Sequence, residues 1–211
     1  MDWIRDPAEI YRRSFATLRG ELNLSRLAPE DADIALRVAH ASGMVEAADA
    51  LVFASGPGAA GRAALAAGAP ILCDAAMVAS GILRARLPAK NAIVCRIDEP
   101  EAHARAKAQG TTRAAAAVDL WGDTLAGAVV AIGNAPTALF RLLERLAEGA
   151  PRPAAILAFP VGFVGAVESK AALMEAPLDI PYVTLPGRRG GSAMAAAAVN
   201  ALMGNPEETA R

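Results

Sequence analysis

Ala-Val-Val-Ala-Ile-Gly-Asn-Ala-Pro-Thr, residues 128–137, is the stretch on which the fold turns. Ala128–Ile132 is a short, unbroken apolar run, the pattern of a strand covered on both faces. Gly133-Asn134 ends the run, and Ala135–Glu148 reads as a helix. The same unit recurs in both directions. Apolar runs at Leu51–Phe53, Pro70–Cys73, Ala92–Ile97, Ala155–Phe159 and Tyr182–Leu185 are spaced by helix candidates at Gly58–Ala67, Asp74–Ser80, Pro100–Gln109, Thr111–Trp121 and Glu168–Glu175. This alternation predicts an α/β fold, a mostly parallel sheet with helices on both faces and right-handed crossovers.

The first fifty residues break the rhythm. Asp6 before Pro7 is a helix start signal and predicts a helix over Pro7–Gly20. A second helix is expected over Pro29–Ala41, with Ile34, Leu36 and Val38 apolar. The chain of 211 residues therefore reads as one domain: a helical arm at 1–50, an α/β core at 51–203 closed by a helix over Ser192–Met203, and a frayed tail at 204–211. Alanine supplies 53 residues, an excess that resembles genomic coding bias.

Composition narrows the function classes. A net charge of −1 and 4% aromatic residues argue against a nucleic-acid partner, which calls for a basic excess or stacking platforms. The apolar stretches Ala126–Phe140 and Ala193–Met203 are too short to span a bilayer, and the first residues carry no signal-like apolar segment. Cys73 and Cys95 lie in apolar runs without metal-ligand spacing. Two buried, unpaired thiols are expected, a disulfide or metal role being the alternative, and a reducing cytoplasm fits.

In such a sheet, ligands bind beyond the carboxyl ends of the strands. The residues there are Asp74, Asp98, Gly133-Asn134, Pro160-Val161-Gly162 and Pro186-Gly187-Arg188. Gly56-Pro-Gly58-Ala-Ala-Gly61 matches G-x-G-x-x-G, with Asp74 eighteen residues on, so it reads either as a plain turn or as a nucleotide loop. A P-loop, a G-x-S-x-G elbow and a cluster of metal ligands are all missing from the sequence. Of two histidines, His103 sits on a polar helix face and is expected to be solvated. His40 ends a helix before Gly43, as an acid/base candidate or as a cation on the helix dipole. Arginine outnumbers lysine eighteen to three. Arg113 and the pair Arg188-Arg189 are candidate carboxylate anchors, the pair standing beside Gly190-Gly191-Ser192 at the start of the last helix.

Six motifs occur in order: Ile-Tyr-Arg-Arg-Ser-Phe (10–15), Arg-Val-Ala-His-Ala-Ser-Gly (37–43), Gly-Ala-Pro-Ile-Leu-Cys-Asp (68–74), Ile-Gly-Asn-Ala-Pro-Thr-Ala-Leu (132–139), Pro-Val-Gly-Phe-Val-Gly-Ala-Val-Glu-Ser-Lys (160–170) and Gly-Arg-Arg-Gly-Gly-Ser-Ala-Met (187–194). Together they resemble the precorrin-8X methylmutase family, also called precorrin isomerases, of cobalamin biosynthesis. The resemblance spans Asp2 to about Leu202. It implies a flavodoxin-like sheet and a homodimer with the site near the subunit interface. The implied reaction moves a methyl group from C-11 to C-12 of a tetrapyrrole, giving hydrogenobyrinate or its cobalt counterpart, without a cofactor and with tight product binding. His40 matches the catalytic histidine and Ser14 a substrate-contacting serine. Arg113, Asn134, Arg188, Gly190 and Gly191 carry over as substrate-binding positions. A module that binds a corrinoid or a nucleotide without turnover is the alternative.

Overall fold

The computed structural model describes Met1 and residues 3–204; the rest of the tail expected at 204–211 lies outside the described residues. Six strands, β1 (Val52–Ala54), β2 (Ile71–Cys73), β3 (Ile93–Cys95), β4 (Val129–Ile132), β5 (Ala155–Ala158) and β6 (Tyr182–Thr184), form one sheet ordered β1-β6-β5-β4-β2-β3. All pairings are parallel except β1–β6, where Phe53 faces Val183 in an antiparallel edge pair. Without β1 the order is that of flavodoxin-like folds, and the chain reverses direction across the sheet between β2 and β4. Every residue of β2, β4 and β5 is buried, as the uninterrupted apolar runs predict for strands covered on both faces.

The helices are α1 (Pro7–Glu21), α2 (Pro29–Ser42), α3 (Val45–Asp49), α4 (Pro57–Ala66), α5 (Ala76–Gly81), α6 (Pro100–Gln109), α7 (Arg113–Asp119), α8 (Pro136–Ala147), α9 (Ala166–Glu175) and α10 (Ser192–Ala201). Alternation along each strand divides the core between the two faces. Ile71, Cys73, Val129, Ala131 and Leu157 face a cluster with residues of α1, α2, α4 and α10. Leu72, Val130, Ile132, Ile156 and Ala158 face one with residues of α7, α8 and α9.

The N-terminal helices fold back onto the first of these faces. Asp6 caps α1 as expected, its carboxylate accepting the Ala8 N–H at 3.0 Å. Phe15 and Leu18 of α1 are buried, and α2 packs along α10. That contact gives part of the alanine excess a structural use: Ala35 and Ala39 of α2 and Ala195 and Ala198 of α10 are all buried in the same cluster, where small side chains let helix backbones approach closely. Gly43 (φ 67°) terminates α2, its N–H donating to the Ala39 carbonyl at 2.8 Å. α3 goes unforeseen because five residues are too few to show a helical period.

The glycine triplet at 56–61 serves helix packing. A Cβ on Gly58 would lie 2.6 Å from the Glu30 carbonyl carbon, and one on Gly61 would lie 2.7 Å from a Leu202 methyl. The Gly58 N–H donates to the Asp31 carboxylate at 2.8 Å. Cys73 and Cys95 face each other across β2 and β3 as free thiols. Cys73 is buried, but Cys95 is only half-buried because β3 is a sheet edge, which corrects the expectation that both are buried.

Gly133, just past β4, is where α10 meets the sheet. A Cβ there would lie 2.7 Å from both Ser192 Cα and Val78 Cγ2 and 2.9 Å from Ala195 Cβ. Gly133→Ala is therefore expected to push α10 outward at a cost of about 1–3 kcal/mol, the usual range for overpacking. Thermal denaturation should register this as a loss of roughly 2–4 °C for each kcal/mol, and an unchanged midpoint would refute the steric argument.

Candidate active site

The crevice between the exits of β2 and β4 is where an open α/β sheet ordinarily receives a ligand. Here the protein's own anion fills it. Asp74, 1% exposed, accepts the Gly133 N–H on Oδ1 at 2.8 Å and the N–H groups of Asn134 and Ala135 on Oδ2 at 3.0 and 2.7 Å. Burial pushes its carboxyl above the ordinary range, and the three N–H bonds pull back against that. The carboxylate also sits at the N-terminus of α8, where the helix dipole favours negative charge. Asn134 is fixed by its backbone, its N–H on Asp74 and its carbonyl accepting the Val161 N–H at 3.3 Å.

His40 stands on the last turn of α2 with Nδ1 2.9 Å from Ser14 Oγ on α1. Its ring packs 4.9 Å from Phe15 and 5.9 Å from Tyr11, whose rings stack on each other at 4.3 Å. Arg37, one helical turn earlier, lies over both aromatic rings and donates through Nη2 to the Tyr11 hydroxyl at 2.8 Å. Arg37, His40, Ala41, Gly81, Ala193 and Asn200 line a cavity of about 270 Å³. Asn200 is held in place, accepting the Leu83 N–H and donating to the Gly81 carbonyl, both at 2.9 Å. Desolvation, and secondarily the Arg37 charge, hold the imidazole below its ordinary pKa. With the Ser14 hydroxyl donating to Nδ1, the ring proton sits on Nε2. When the ring is charged, Nδ1–H donates to the same hydroxyl. Ser14 therefore orients His40 in either protonation state.

A second cavity, about 320 Å³, opens beside the same helix end, walled by Met44, Val161, Phe163, Arg188, Arg189 and Gly190. Its floor is the 187–191 loop. The Gly191 N–H donates to the Phe159 carbonyl at 2.8 Å, and the Gly162 N–H to the Arg188 carbonyl at 3.2 Å. Gly190 lies against the Phe159 and Pro160 carbonyls, where a side chain has no room. Arg188 places its guanidinium 5.6 Å from the exposed Phe163 ring, and Arg189 reaches Glu46 at 3.4 Å. Beneath the loop, Lys170 of α9 is fully buried and donates to the Arg189 carbonyl at 2.7 Å. Burial, and to a lesser extent Arg189, push its ammonium down to about 8.

Of the residues expected from sequence, Ser14 and His40 meet directly. Arg188 and Gly190 share the neighbouring cavity, Gly191 anchors its loop, and Asn134 marks the crevice. Arg113 stands apart, exposed on α7 and 3.8 Å from Asp98 and 3.4 Å from His103. The Thr112 hydroxyl donates to Thr137 Oγ1 at 2.8 Å, which keeps Arg113 at the strand-exit edge without bringing it to His40. Sequence reading missed Arg37 and Lys170. Arg37 carries a weak signal, its spacing of three residues from His40; Lys170 carries none, since α9 also holds Glu168 and Glu175. Among the described residues, no group of three or more His, Cys, Asp or Glu could hold a metal ion, and no helix is long and apolar enough to cross a membrane.

Comparison with known proteins shows the family. Residues 9–205 match the family model described as precorrin-8X methylmutase. The chain is 59% identical over 202 residues to the precorrin-8X methylmutase of Pseudomonas aeruginosa, covering 96% of this chain and 97% of that one. It is 34% identical over 195 residues to the cobalt-precorrin-8 methylmutase of Methanocaldococcus jannaschii, covering 92% and 89%. The crystal structure of a precorrin-8X methylmutase from Thermus thermophilus superposes with a TM-score of 0.83 at 40% identity, covering 92% of this chain and 95% of that one.

Lys170 gives the pH dependence of stability a definite sign. Its pKa falls from 10.5 in the open chain to about 8 in the fold, so the unfolded chain binds the extra proton between those values. Stability should therefore rise with pH from about 8 to 10.5. Lys170→Met, which keeps the stem and removes the charge, should abolish that part of the slope in denaturant titrations at successive pH values. Equal slopes in the two proteins would show that the ammonium is not desolvated.

Proposed function

Because the chain belongs to the precorrin-8X methylmutase family, we propose that its reaction is carried out at the end of α2, with His40 as the acid and Ser14 as the residue that orients it. The protein is an isomerase of cobalamin biosynthesis that moves a methyl group from C-11 to C-12 of precorrin-8X to give hydrogenobyrinate. Such a shift needs no nucleophile. Protonation of the conjugated ring system makes migration easier, and the proton leaves again once the methyl group has settled at C-12. The observation that carries the assignment is the Ser14–His40 pair at the rim of a cavity that Arg37 also lines.

The macrocycle carries several carboxylates. Arg188, with the amide-rich edge at Gly190 and Gly191, serves as one anchor beside His40, while Asn134 and Arg113 serve the outer strand-exit edge. The same anchors hold the product, which keeps its carboxylates through the reaction, and so favour tight product binding. The metal-free substrate is the preferred one, since the Pseudomonas aeruginosa relative named for it shares 59% identity against 34% for the relative named for the cobalt form. Free Cys73 and Cys95 suit a reducing cytoplasm. A nucleotide module finds no support, because the glycines that suggested one are used in helix packing.

Both cavities are small for a tetrapyrrole, at or below the low end of the roughly 300–1,000 Å³ typical of ligand sites. A second subunit would deepen them. Val161, Phe163, Val164 and Val167 are exposed around the second cavity, Phe163 by 86% and Val164 by 89%. Contiguous apolar surface of this kind marks an interface. We expect light scattering to return twice 21.6 kDa, and an active monomer at assay concentration would refute the dimer.

His40→Ala should leave folding and product binding close to those of the parent and lower single-turnover rearrangement by about 10²–10⁴, the scale of a lost general acid. His40→Asn retains a hydrogen-bond donor without a transferable proton and should be nearly as slow. His103→Ala, on the exposed surface of α6 and away from His40, should behave as the parent. An Asn variant that keeps the parent rate would reduce His40 to a hydrogen-bonding role.

A further inference from the structure

Arg37 is conspicuous among the arginines. Arg62, Arg96, Arg105, Arg141 and Arg189 each have a carboxylate within ion-pair distance. Among the described residues, no ion pair involves Arg37. Its guanidinium is half-buried over two aromatic rings, bonded to the Tyr11 hydroxyl, and borders the cavity that His40 borders. Arg86 adds a second cation acting on it, and no ion pair of Arg86 is found among the described residues either. Arg86 donates through Nη2 to the Gly204 carbonyl at 2.6 Å, while its buried Nη1 has no hydrogen-bond partner. A partly desolvated cation without a counter-ion, open to a cavity, is a carboxylate site in waiting.

We propose that Arg37 binds a peripheral carboxylate of the tetrapyrrole and positions His40 electrostatically, so that the arriving substrate cancels the charge that opposes protonation of the imidazole. The inference rests on the functional reading above and deepens it: proton uptake at His40 is coupled to occupancy of the cavity. The groups facing His40 are few. From α1 they are Ser14 and Tyr11, and from α2 itself Arg37. α5 and α10, which supply the remaining cavity wall, contain no titratable side chain. Among the described residues no carboxylate stands with them, so a substrate carboxylate at Arg37 is the change that favours the imidazolium. The direction of the His40 shift in the free protein agrees with this, since Arg37 contributes to holding the ring neutral.

The chain's two histidines make the test direct. The ring resonances of His40, assigned with His103→Ala, are titrated by NMR in the parent, Arg37→Met and Arg37→Lys, each free and saturated with hydrogenobyrinate. In the free proteins, the His40 midpoint should rise in Arg37→Met and stay low in Arg37→Lys, which keeps the charge. On product binding the parent midpoint should rise by about one unit, a tenfold gain in proton affinity, and that of Arg37→Met should barely move. Product affinity should fall in Arg37→Met. Equal midpoints in the free parent and Arg37→Met, with Arg37→Lys agreeing, would overturn the coupling. An equal upward shift on binding in parent and Arg37→Met would overturn the carboxylate assignment. A parent that binds no product would instead overturn the functional reading, while the free-protein comparison still judges the link between Arg37 and His40.

Discussion

The three N–H bonds that Asp74 accepts from Gly133, Asn134 and Ala135 are the constraint on which the rest of the molecule depends. Asp74 follows β2 directly and the three amides follow β4, so one carboxylate ties together the strands between which the chain reverses direction across the sheet. It also orders the entry to α8. In many folds of this topology the same crevice is left open for an anionic ligand. Filling it from within leaves the proposed site to one side, at the ends of α2 and α10. That displacement suits a broad macrocycle better than a phosphate, because the shifted site is bounded by helix ends and glycine-rich edges rather than by a narrow slot.

Once α10 is set against Gly133, its alanine face sets α2, and α2 sets His40. The geometry of the acid thus depends on small residues at a distance from it. Ala35 and Ala39 turn one face of α2 to the core while Arg37 and His40 project from another toward the cavity. α1 then contributes Tyr11, Ser14 and Phe15 from consecutive turns, giving His40 a hydrogen-bond partner, an aromatic wall and a cation held by that wall.

Much of this was legible in the sequence where a local rule applies. The apolar runs of β2, β4 and β5 are strands buried on both faces. The Asp6-Pro7 start and the Gly43 stop of the first two helices are capping chemistry read within a few residues. His40 entered as an acid/base candidate at a helix end and Ser14 through motif resemblance, and the structure brings them into contact. What could not be read is tertiary. The direction of β1 is set by its edge pairing with β6, which the apolar run of β1 does not encode. The half-exposure of Cys95 follows from β3 lying at the sheet edge. Lys170 looks like an ordinary helix cation until α9 is packed beneath the 187–191 loop. Arg113, read as an anchor from its type and from the resemblance, stands with Asp98 and His103 rather than beside His40, a placement its position in the sequence does not encode.

The pairing of α2 with α10 also bears on how the chain reaches its fold. Ser42 ends one helix and Ser192 begins the other, with 149 residues between them. During synthesis α2 emerges early, yet α10, the helix it packs along, exists only when the chain is almost complete. Until then an apolar helix face waits without its mate, and a contact this far apart in sequence is slow to close. The cavity at His40 is thus assembled at the end of folding, and a chain released before residue 192 lacks the wall that α10 supplies. With His40 as the proposed acid, catalytic competence is a late event in the life of the polypeptide, tied to completion of its last helix.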